Sequence, residues 1–349
     1  MLCTHFGICG GCLSQDVPDT DYRAAKRVLV AEALAGAGLD GSLVEEVVSV
    51  APATRRRAVF KLAKQDGVAR IGFHAARSHF IVDMRECLVL TPALFRLAQE
   101  LRVLLGGILA EQESAELHVT EADNGLDLDI AWKRRLSPAL TALFARAAPG
   151  LVRVTSNGDT ILEREAPFVH LGKARVKIPP RVFLQASREG EAALQARAVA
   201  ALAGAKNIAD LFSGLGTFTF PLAQKARVHA VEQDAPALAA LAAAARGTPA
   251  LKPVTREKRD LFKRPLSAAE LNRHDAVLLD PPRAGAAAQM REIAASRLGR
   301  VVYVSCDARS FARDARTLAD AGFVTGAVTP IDQFLWSSHI ELVGTFSRG

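Results

Sequence analysis

Aromatic residues and long apolar runs are scarce in this sequence. Phe, Trp and Tyr together make up 6% of its 349 residues, and no stretch approaches the roughly 18 consecutive apolar residues that a membrane-spanning helix needs. The amino terminus lacks the basic start and apolar centre of a secretory signal. At 50% hydrophobic and 23% charged residues, the chain is too apolar for wholesale disorder and long enough for two or three domains. These features predict a soluble, cytoplasmic protein with no membrane partner.

Positively charged residues are in slight excess over negatively charged ones. Lys and Arg number 44 against 37 Asp and Glu, which gives a formal net charge of +7 and an isoelectric point near 9.4. A positive surplus suits a polyanionic partner, because cations that neutralise phosphates release counterions. Arginine-rich proteins that bind no nucleic acid often have the same balance, so charge favours a nucleic acid partner only slightly.

Cysteine is rare but clustered toward the amino terminus. Five cysteines occur, an odd number that argues against a disulfide framework. Three of them fall within ten residues around Gly10 and Gly11, where the missing side chains let the backbone wrap closely around a metal. Zinc usually takes its ligands in short-spaced pairs, so three close cysteines plus a solitary fourth favour an iron–sulfur cluster, although His5 as a ligand keeps zinc open. The predicted metal ligands are Cys3, Cys9, Cys12 and Cys87.

The first 180 residues alternate helical and strand-like segments. An apolar period near 3.6 predicts a helix from Asp19 to Gly38 with Asp19 or Thr20 as its cap. A second helix is predicted at Thr91–Leu105, and Asn-Gly pairs at 124–125 and 157–158 predict hairpin turns. The remaining segments are strands: short ones from Leu43 to Val82, then Glu116–Thr120, Asp127–Trp132, Leu151–Thr155 and Phe168–Lys177. The pattern predicts an antiparallel α+β domain over residues 1–180, which carries the cysteine cluster.

Beyond Pro179-Pro180, strands and helices alternate. The strands are mostly apolar and rich in bulky, β-branched residues, as a parallel sheet buried on both faces requires. The predicted strands are Asn207–Leu211, Val228–Val231, Asp275–Leu279, Arg300–Ser305 and Ile340–Phe346, and the predicted helices are Arg188–Ala203, Phe218–Gln224, Ala235–Arg246 and Arg309–Ala321. Residues 181–349 are therefore predicted to form a doubly wound α/β domain.

A glycine turn after the first of these strands is typical of a nucleotide-type site. Gly214 and Gly216 permit a tight strand-to-helix turn and the close approach of a ligand. Glu232 ends the next strand, where a carboxylate can accept hydrogen bonds from both hydroxyls of a ribose. The dinucleotide fingerprint requires a third glycine where Thr219 stands, so S-adenosylmethionine (SAM) is favoured over NAD.

Three further groups lie at or near the late strands. Asp280 follows a buried strand and should face the ligand, because ligands of open α/β sheets bind outside the carboxyl ends of strands. Cys306 ends a neighbouring strand; a lone cysteine is most often a small buried hydrophobe, but at this position a thiolate could act as a covalent nucleophile. His339 and Glu341 alternate onto one face, and either could be a base. In base-modifying amino-methyltransferases an aromatic residue follows Asp-Pro-Pro, so Arg283 disfavours amine methylation.

Methylation of a pyrimidine at carbon 5 needs this set of groups. That carbon is too weak a nucleophile to attack a sulfonium methyl group until a thiolate adds to carbon 6 and forms an enolate. After methyl transfer, a base must remove the carbon 5 proton before the cysteine can leave. A cytosine-5 enzyme is disfavoured, because it would place Pro-Cys after the strand acid, where this chain has Pro281-Pro282.

Together these motifs resemble the RNA uracil-5-methyltransferase family, in its iron–sulfur branch of 23S rRNA 5-methyluridine methyltransferases. They follow the family order over nearly the whole chain: the four clustered cysteines, Phe183-Leu184-Gln185, Asp210 to Gly216, Glu232, Asp280 to Gly285, Ser305-Cys306 and His339-Ile340-Glu341. The resemblance implies a Rossmann-like SAM-dependent methyltransferase domain with an N-terminal α+β domain that carries a [4Fe-4S] cluster. It also implies that the helix near residues 19–38 packs on the catalytic domain.

The same resemblance assigns roles to individual residues. It implies Cys306 as the nucleophile and Glu341 as the base. The residues expected to bind the cofactor or line the uracil pocket are Gln185, Phe212, Gly214, Gly216, Glu232 and Asp280.

The chain departs from the family pattern at several positions. Thr217 and Ser187 stand where the family usually has Asn, Asp307-Ala308 replaces Asn-Pro, and Phe334-Leu335 replaces Phe-Pro. Many relatives begin with a small β-barrel RNA-binding domain, whereas this chain starts at the cysteine cluster, so the basic antiparallel half is expected to bind RNA. Two rivals stay open: a non-catalytic iron–sulfur RNA-binding protein and an NAD-linked redox enzyme that uses the cluster for electrons.

The sequence thus predicts a monomeric SAM-dependent enzyme that makes 5-methyluridine in structured RNA. A 23S rRNA substrate ranks before tRNA, because the cluster branch of the family is mostly ribosomal. The target base should be unstacked into the site, since its carbon 6 is unreachable inside a helix.

Overall fold

Two large sheets organise the part of the chain that the computed structural model describes, which comprises residues 2–133, 138–147 and 150–349. A loop with three cysteines precedes helix α1 (Asp19–Gly36) and the short strand β1 (Val48–Ser49). Pro18 stands at the cap position of α1, and no side chain hydrogen-bonds to the first turn. The predicted cap at Asp19 or Thr20 is therefore wrong, because the acidic residues lie inside the first turn, where they face the positive end of the helix dipole.

The first sheet has the strand order β4-β3-β2-β5-β6-β7-β8. Helix α2 covers one of its faces and begins at Thr91, whose hydroxyl accepts the backbone N–H of Leu94 at 3.3 Å. Apolar side chains of the sheet and of α2 form one buried cluster between them. The elements are β2 (Arg57–Gln65), β3 (Val68–His74), β4 (Ile81–Asp83), α2 (Pro92–Gly106), β5 (Ser114–Glu121), β6 (Leu126–Ala131), α3 (Pro138–Ala147), β7 (Leu151–Ser156) and β8 (Asp159–Glu163).

One strand pair of this sheet departs from the predicted antiparallel pattern. β6 and β7 run parallel, because α3 lies between them in the chain and provides the crossover that parallel neighbours need. The predicted hairpin at 157–158 is confirmed: Asn157 and Gly158 have φ angles of 50° and 95°, as the tight turn between β7 and β8 requires. The hairpin at 124–125 is also confirmed, since it joins the antiparallel strands β5 and β6.

The predicted single strand Phe168–Lys177 is instead two. Strands β9 (Phe168–Leu171) and β10 (Ala174–Lys177) pair with each other in antiparallel fashion. The chain turns between them at Gly172, whose φ is +57°. The alternating apolar pattern continues through this turn, which is why the sequence alone did not indicate the break.

The second sheet has the strand order β1-β16-β17-β15-β14-β11-β12-β13. Five consecutive strands of this sheet are parallel to one another: β13, β12, β11, β14 and β15. Strand β17 lies between β15 and β16 and runs antiparallel to both. The elements are α4 (Arg188–Ala201), β11 (Asn207–Leu211), α5 (Thr219–Ala223), β12 (Arg227–Glu232), α6 (Ala235–Gly247), β13 (Val254–Lys258), α7 (Ala268–Leu271), β14 (Ala276–Leu279), α8 (Ala287–Ala295), β15 (Arg300–Ser305), α9 (Ala308–Asp320), β16 (Val324–Asp332) and β17 (Glu341–Ser347).

The strand order of the second sheet reverses at β11. The next strands along the chain, β12 and β13, lie on one side of β11, and β14 and β15 lie on the other. In open α/β sheets, ligands bind outside the carboxyl ends of the strands at such a reversal. A ligand of this sheet is therefore expected to contact the residues that follow β11, β12, β14 and β15.

The amino-terminal segment packs with the second sheet. Val30 and Leu34 of α1 are fully buried in the same apolar cluster as Phe311 of α9, and β1 pairs in parallel with β16. Residues 57–163 form the first sheet, so chain segments on both sides of that sheet contribute to the second. In the described ranges, no helix is both long and apolar enough to cross a bilayer.

Candidate active site and cysteine cavity

The turn that follows β11 has a left-handed backbone at three positions. Phe212, Gly214 and Gly216 all have positive φ angles, of 60°, 54° and 96°. A Cβ atom on Gly216 would come within 2.7 Å of the Phe220 ring, so only glycine fits there. The backbone can therefore pass close to a ligand at this edge of the sheet.

Glu232 is held at the end of β12 by backbone donors. One carboxylate oxygen accepts the N–H of Gly214 at 2.9 Å, and the other accepts those of Gln233 and Asp234 at 2.7 and 2.8 Å. The oxygen bound to Gly214 keeps an unused lone pair, which can accept a ribose hydroxyl. The Phe212 ring lies 5.4 Å from that of Phe262, a half-exposed aromatic residue that the sequence did not indicate.

Asp210, at the heart of β11, is a fully buried acid. Its carboxylate accepts the Thr219 hydroxyl at 2.5 Å, and its other oxygen has no partner among the described residues. Burial raises the pKa of Asp210 to about 7, and the nearby carboxyls of Asp280 and Glu232 contribute to this.

Cys306 and Glu341 face each other across two neighbouring strands. Ser305 of β15 pairs with Leu342 of β17 in the antiparallel ladder, so the next positions along the two strands are Cys306 and Glu341. Glu341 is 3% exposed, whereas His339, the other candidate base, is exposed and packs against the Phe334 ring. The structure therefore brings the predicted nucleophile and one of the two candidate bases together.

A chain of side-chain hydrogen bonds links Asp280 to Glu341. Gln185 donates to Asp280 at 3.2 Å and accepts from the amide of Gln333 at 2.7 Å, and Gln333 also hydrogen-bonds Glu341. Gln185 and Gln333 are 2% and 3% exposed, so both amides are fixed. The sequence did not predict a role for Gln333. Its position directly after the last residue of β16 is the one signal that could have indicated it.

Burial and mutual repulsion control protonation in this group. Burial, followed by the charge of Asp280, raises the pKa of Glu341 to about 8, while Gln333 and Arg57 oppose the shift. Burial also raises the pKa of Asp280 to about 7. The pKa of the Cys306 thiol rises to about 12, because of burial and then of the two carboxyls. At neutral pH the thiol keeps its proton, and the two acids can exchange protons with a bound ligand.

The residues that depart from the family pattern have structural roles. Asp307 caps α9 by accepting the Ser310 N–H at 2.9 Å and lies 3.4 Å from the Arg283 guanidinium. Ser187 caps α4 through the Gly190 N–H at 3.0 Å, and the Thr217 carbonyl accepts from the Gln195 amide at 2.9 Å.

Helix α1 fixes the loop that leads to Glu341. Asp332 accepts the Tyr22 hydroxyl at 2.5 Å and the Lys26 ammonium at 3.1 Å. Lys26 also donates to the His339 carbonyl, and the Trp336 N–H bonds the Tyr22 oxygen at 2.7 Å. Residues 333–340, which join β16 to β17, are thus held from one side by Tyr22 and Lys26, two buried side chains that the sequence did not indicate.

The four clustered cysteines line one cavity of about 40 Å³. Burial raises the pKa of Cys3, Cys12 and Cys87, that of Cys12 to about 11. His5, which had kept zinc open, accepts the Arg85 N–H through Nε2 at 2.9 Å, so that nitrogen is engaged.

This cavity does not show a preformed site for a single ion. Within residues 2–133, 138–147 and 150–349, no group of three or more His, Cys, Asp or Glu side chains is placed to hold one metal ion. A single zinc would require sulfurs roughly 3.8 Å apart, whereas a four-iron cluster binds each thiolate at a different iron and spreads the sulfurs further. Four thiols around one cavity are a donor set that a cluster could use.

Comparisons with known proteins agree with this geometry. A family model of tRNA (uracil-5-)-methyltransferases matches residues 182–348. An uncharacterised RNA methyltransferase of Caulobacter vibrioides is 46% identical over 99% of this chain and 85% of its own length. The 23S rRNA (uracil(1939)-C(5))-methyltransferase of Pectobacterium atrosepticum is 32% identical over 99% of this chain and 79% of its own.

A solved structure shares the fold over nearly the whole chain. The tRNA (uracil-54, C5)-methyltransferase of Pyrococcus abyssi, in complex with S-adenosyl-L-homocysteine, superposes with a TM-score of 0.76. The match covers 97% of this chain and 84% of that one at 22% identity. At this identity the similarity establishes the fold, including the Rossmann-like α/β sheet that was predicted from the sequence.

Proposed function

Since the chain belongs to the family of SAM-dependent RNA (uracil-5-)-methyltransferases, we propose that it forms 5-methyluridine in 23S rRNA. The observation that carries the proposal is the placement of Cys306 opposite Glu341, at the carboxyl edge where SAM would bind. A 23S rRNA substrate is favoured over tRNA by the relative from Pectobacterium atrosepticum, which is similar over 99% of this chain.

We assign the SAM site to the turn after β11 and to the ends of β12 and β14. Glu232 would accept a ribose hydroxyl, and Phe212 with Phe262 would contact the adenine face. Gly214 and Gly216 allow the backbone to approach the cofactor, and Gln185 and Asp280 line the space between it and the uracil. SAM supplies an electrophilic methyl group on a sulfonium.

The covalent step belongs to Cys306. Its thiol loses the proton to the Asp280 carboxylate, so that Glu341 stays ionised for the last step. The sulfur forms a bond to carbon 6 of uracil while the ring electrons move toward the carbonyl at carbon 4. Carbon 5 then takes the methyl group from the sulfonium, which would leave a neutral thioether. Arg57 lies close to Glu341, and its guanidinium stacks on the Phe183 ring at 4.2 Å, so a cation is present where negative charge develops.

Glu341 completes the reaction. Its carboxylate removes the proton from carbon 5, the electrons re-form the ring double bond, and the bond between the Cys306 sulfur and carbon 6 breaks. A raised pKa makes Glu341 a stronger base than an exposed carboxylate. The hydrogen bond from Gln333 holds its carboxyl in place.

The substrate assignment can be tested with transcripts. We expect the purified protein with SAM to form 5-methyluridine in a 23S rRNA transcript and not in tRNA, as measured by nucleoside mass spectrometry. 5-Methyluridine in tRNA alone would replace the ribosomal assignment, and none in either RNA would contradict the proposed activity.

We also propose that Cys3, Cys9, Cys12 and Cys87 hold a [4Fe-4S] cluster. The convergence of four thiols on one cavity supports a metal centre. The described residues place no three such side chains for a single ion, which favours a cluster over zinc. Cluster binding would displace the thiol protons and tie the amino-terminal loop to residue 87. Protein purified without oxygen should contain about four irons per chain; one zinc and no iron would contradict the proposal.

A further inference from the structure

A second cavity, of about 320 Å³, opens beside the active site. We name it the junction cavity. The residues that line it include Gly11, Arg55, Phe73, Gln333, Phe334 and His339. Gln333 also hydrogen-bonds the amide of Gln185 at 2.7 Å, so the junction cavity and the active site share one side chain. A ligand that fills the active site can therefore continue into this space.

Arg55 brings an unneutralised positive charge to the junction cavity. Over residues 2–133, 138–147 and 150–349, its guanidinium has no ion pair or side-chain hydrogen bond, and its contact is with the Phe334 ring at 5.8 Å. The neighbouring Arg56 differs, since it pairs with Glu191 at 2.7 Å and donates to the Gln185 carbonyl. Arg55 also lies near the thiols of Cys87 and Cys12, so it borders both cavities. On the side of the junction cavity, a phosphate would give this half-buried cation an anionic partner.

Aromatic rings lie next to this charge. Phe334 and His339 stand nearly perpendicular, with ring centroids 6.0 Å apart, and Phe73 also lines the cavity. A cation beside aromatic faces is the combination that binds unstacked nucleotides, because the cation takes the phosphate and a ring stacks on the base. The volume suits a ligand of about one nucleotide.

We propose that the junction cavity binds a second unstacked nucleotide of the RNA, adjacent in the strand to the target uridine, with its phosphate at Arg55 and its base against Phe334. This inference rests on the proposed function. A target base that leaves its stack exposes its neighbour, and Phe334 replaces the lost stacking contact. The cavity thereby adds recognition of the sequence or shape next to the uridine.

Binding of a single-stranded oligoribonucleotide that contains the methylated uridine tests the proposal. The full-length protein with its bound iron and S-adenosylhomocysteine is measured by fluorescence anisotropy at several salt concentrations. We expect Arg55→Gln and Phe334→Leu each to weaken binding about tenfold. Arg55→Gln should also reduce the slope of log K against log salt by about 0.7, the value for one phosphate of a single strand, and Phe334→Leu should not.

Two controls sharpen the result. Arg273→Gln removes the same charge from an exposed position just before β14, at the opposite edge of the sheet, and should change affinity less than about twofold. An abasic nucleotide on one side of the target uridine should weaken binding to the wild-type protein about tenfold and leave binding to Phe334→Leu nearly unchanged.

The outcomes separate this inference from the proposed function. If the protein methylates RNA but Arg55→Gln and Phe334→Leu bind like Arg273→Gln, the junction cavity is not a nucleotide site. If Arg55→Gln loses iron in proportion to its loss of RNA affinity, Arg55 serves the cysteine cavity and the inference is overturned. If the wild-type protein neither binds nor methylates RNA, the proposed function itself fails.

Discussion

Two carboxyls flank the cysteine that is assigned as the nucleophile. Reactive cysteines usually sit in electropositive surroundings that lower the thiol pKa, whereas burial, Glu341 and Asp280 raise that of Cys306 to about 12. The charge of Arg283 and a backbone hydrogen bond at Cys306 oppose this shift. These surroundings favour the protonated thiol, so the proposed covalent step needs a proton acceptor beside the sulfur, and Asp280 is such a group.

The same electrostatics predict a pH dependence. We expect kcat/KM for RNA methylation to rise between about pH 6 and about pH 8, by more than about tenfold over the whole range. Glu341 has a pKa raised to about 8 and must be ionised to accept the proton of carbon 5. Asp280 has a pKa raised to about 7 and must be ionised to accept the proton of Cys306. A pH profile measured at subsaturating RNA checks this. A rate that falls over this range would show that Glu341 acts as an acid.

Single residues were predicted unevenly from the sequence. Cys306, Asp280 and Glu341 end or begin strands, and strand ends on one edge of a sheet meet in space, so their proximity could be inferred. Gln333, Tyr22 and Lys26 could not, because their roles arise from hydrogen bonds to residues distant in the chain. The sequence around a buried amide or lysine has no local pattern that predicts its hydrogen-bond partners.

At the scale of elements, the turn between β11 and α5 is where the backbone matters most. Gly216 combines a φ of +96° with a Cβ position only 2.7 Å from Phe220. Gly204, after α4, has a φ of +84° but nothing within 4 Å of its Cβ position. A substitution at Gly204 therefore adds only backbone strain to the free energy of the fold, whereas one at Gly216 adds backbone strain and a steric clash.

We expect Gly216→Ala to lower the free energy of unfolding by about 2–4 kcal/mol and to weaken SAM binding, because both strain and overpacking act there. Gly204→Ala should cost about 1–2 kcal/mol, from backbone strain alone, and leave SAM binding unchanged. Urea unfolding and calorimetric titration with SAM measure both quantities. Equal losses in the two variants would contradict a close backbone approach at Gly216.

Strands differ in how far the sequence indicates them. β11 has the predicted bounds Asn207–Leu211, because a strand buried on both faces reads as a short apolar run between loops. β13 was missed, since Val254–Lys258 is an edge strand rich in charge, and β16 contains Pro330, which argues against an inner strand. β1 spans only Val48–Ser49, and only its distant partner defines it.

At the scale of the whole molecule, helix α1 connects the amino-terminal segment to the catalytic residues. Lys26 is 5% exposed and Asp332 is fully buried, so their ion pair is shielded from water. Through Asp332 and the His339 carbonyl, Lys26 positions the loop that carries Gln333 and leads to Glu341. Assembly of the active site thus depends on contacts between the two ends of the chain.

Lys26→Gln should lower both stability and turnover. Breaking a buried ion pair costs about 3–5 kcal/mol, and a looser loop should reduce kcat about tenfold while the affinity for SAM stays the same. Arg23→Gln is the matched control, because Arg23 forms an exposed pair with Asp19 at 2.8 Å and should cost less than about 1 kcal/mol. Chemical denaturation and steady-state kinetics check this; equal kcat in both variants would contradict the positioning role.

The covalent route through Cys306 is tested most directly with RNA that carries tritium at carbon 5 of uridine. With SAM, the wild-type protein should release tritium in step with 5-methyluridine formation, and Glu341→Gln should accumulate a protein–RNA adduct that retains the label. Cys306→Ala should release none and form no adduct, although calorimetry shows SAM still bound. Formation of 5-methyluridine by Cys306→Ala would contradict the account.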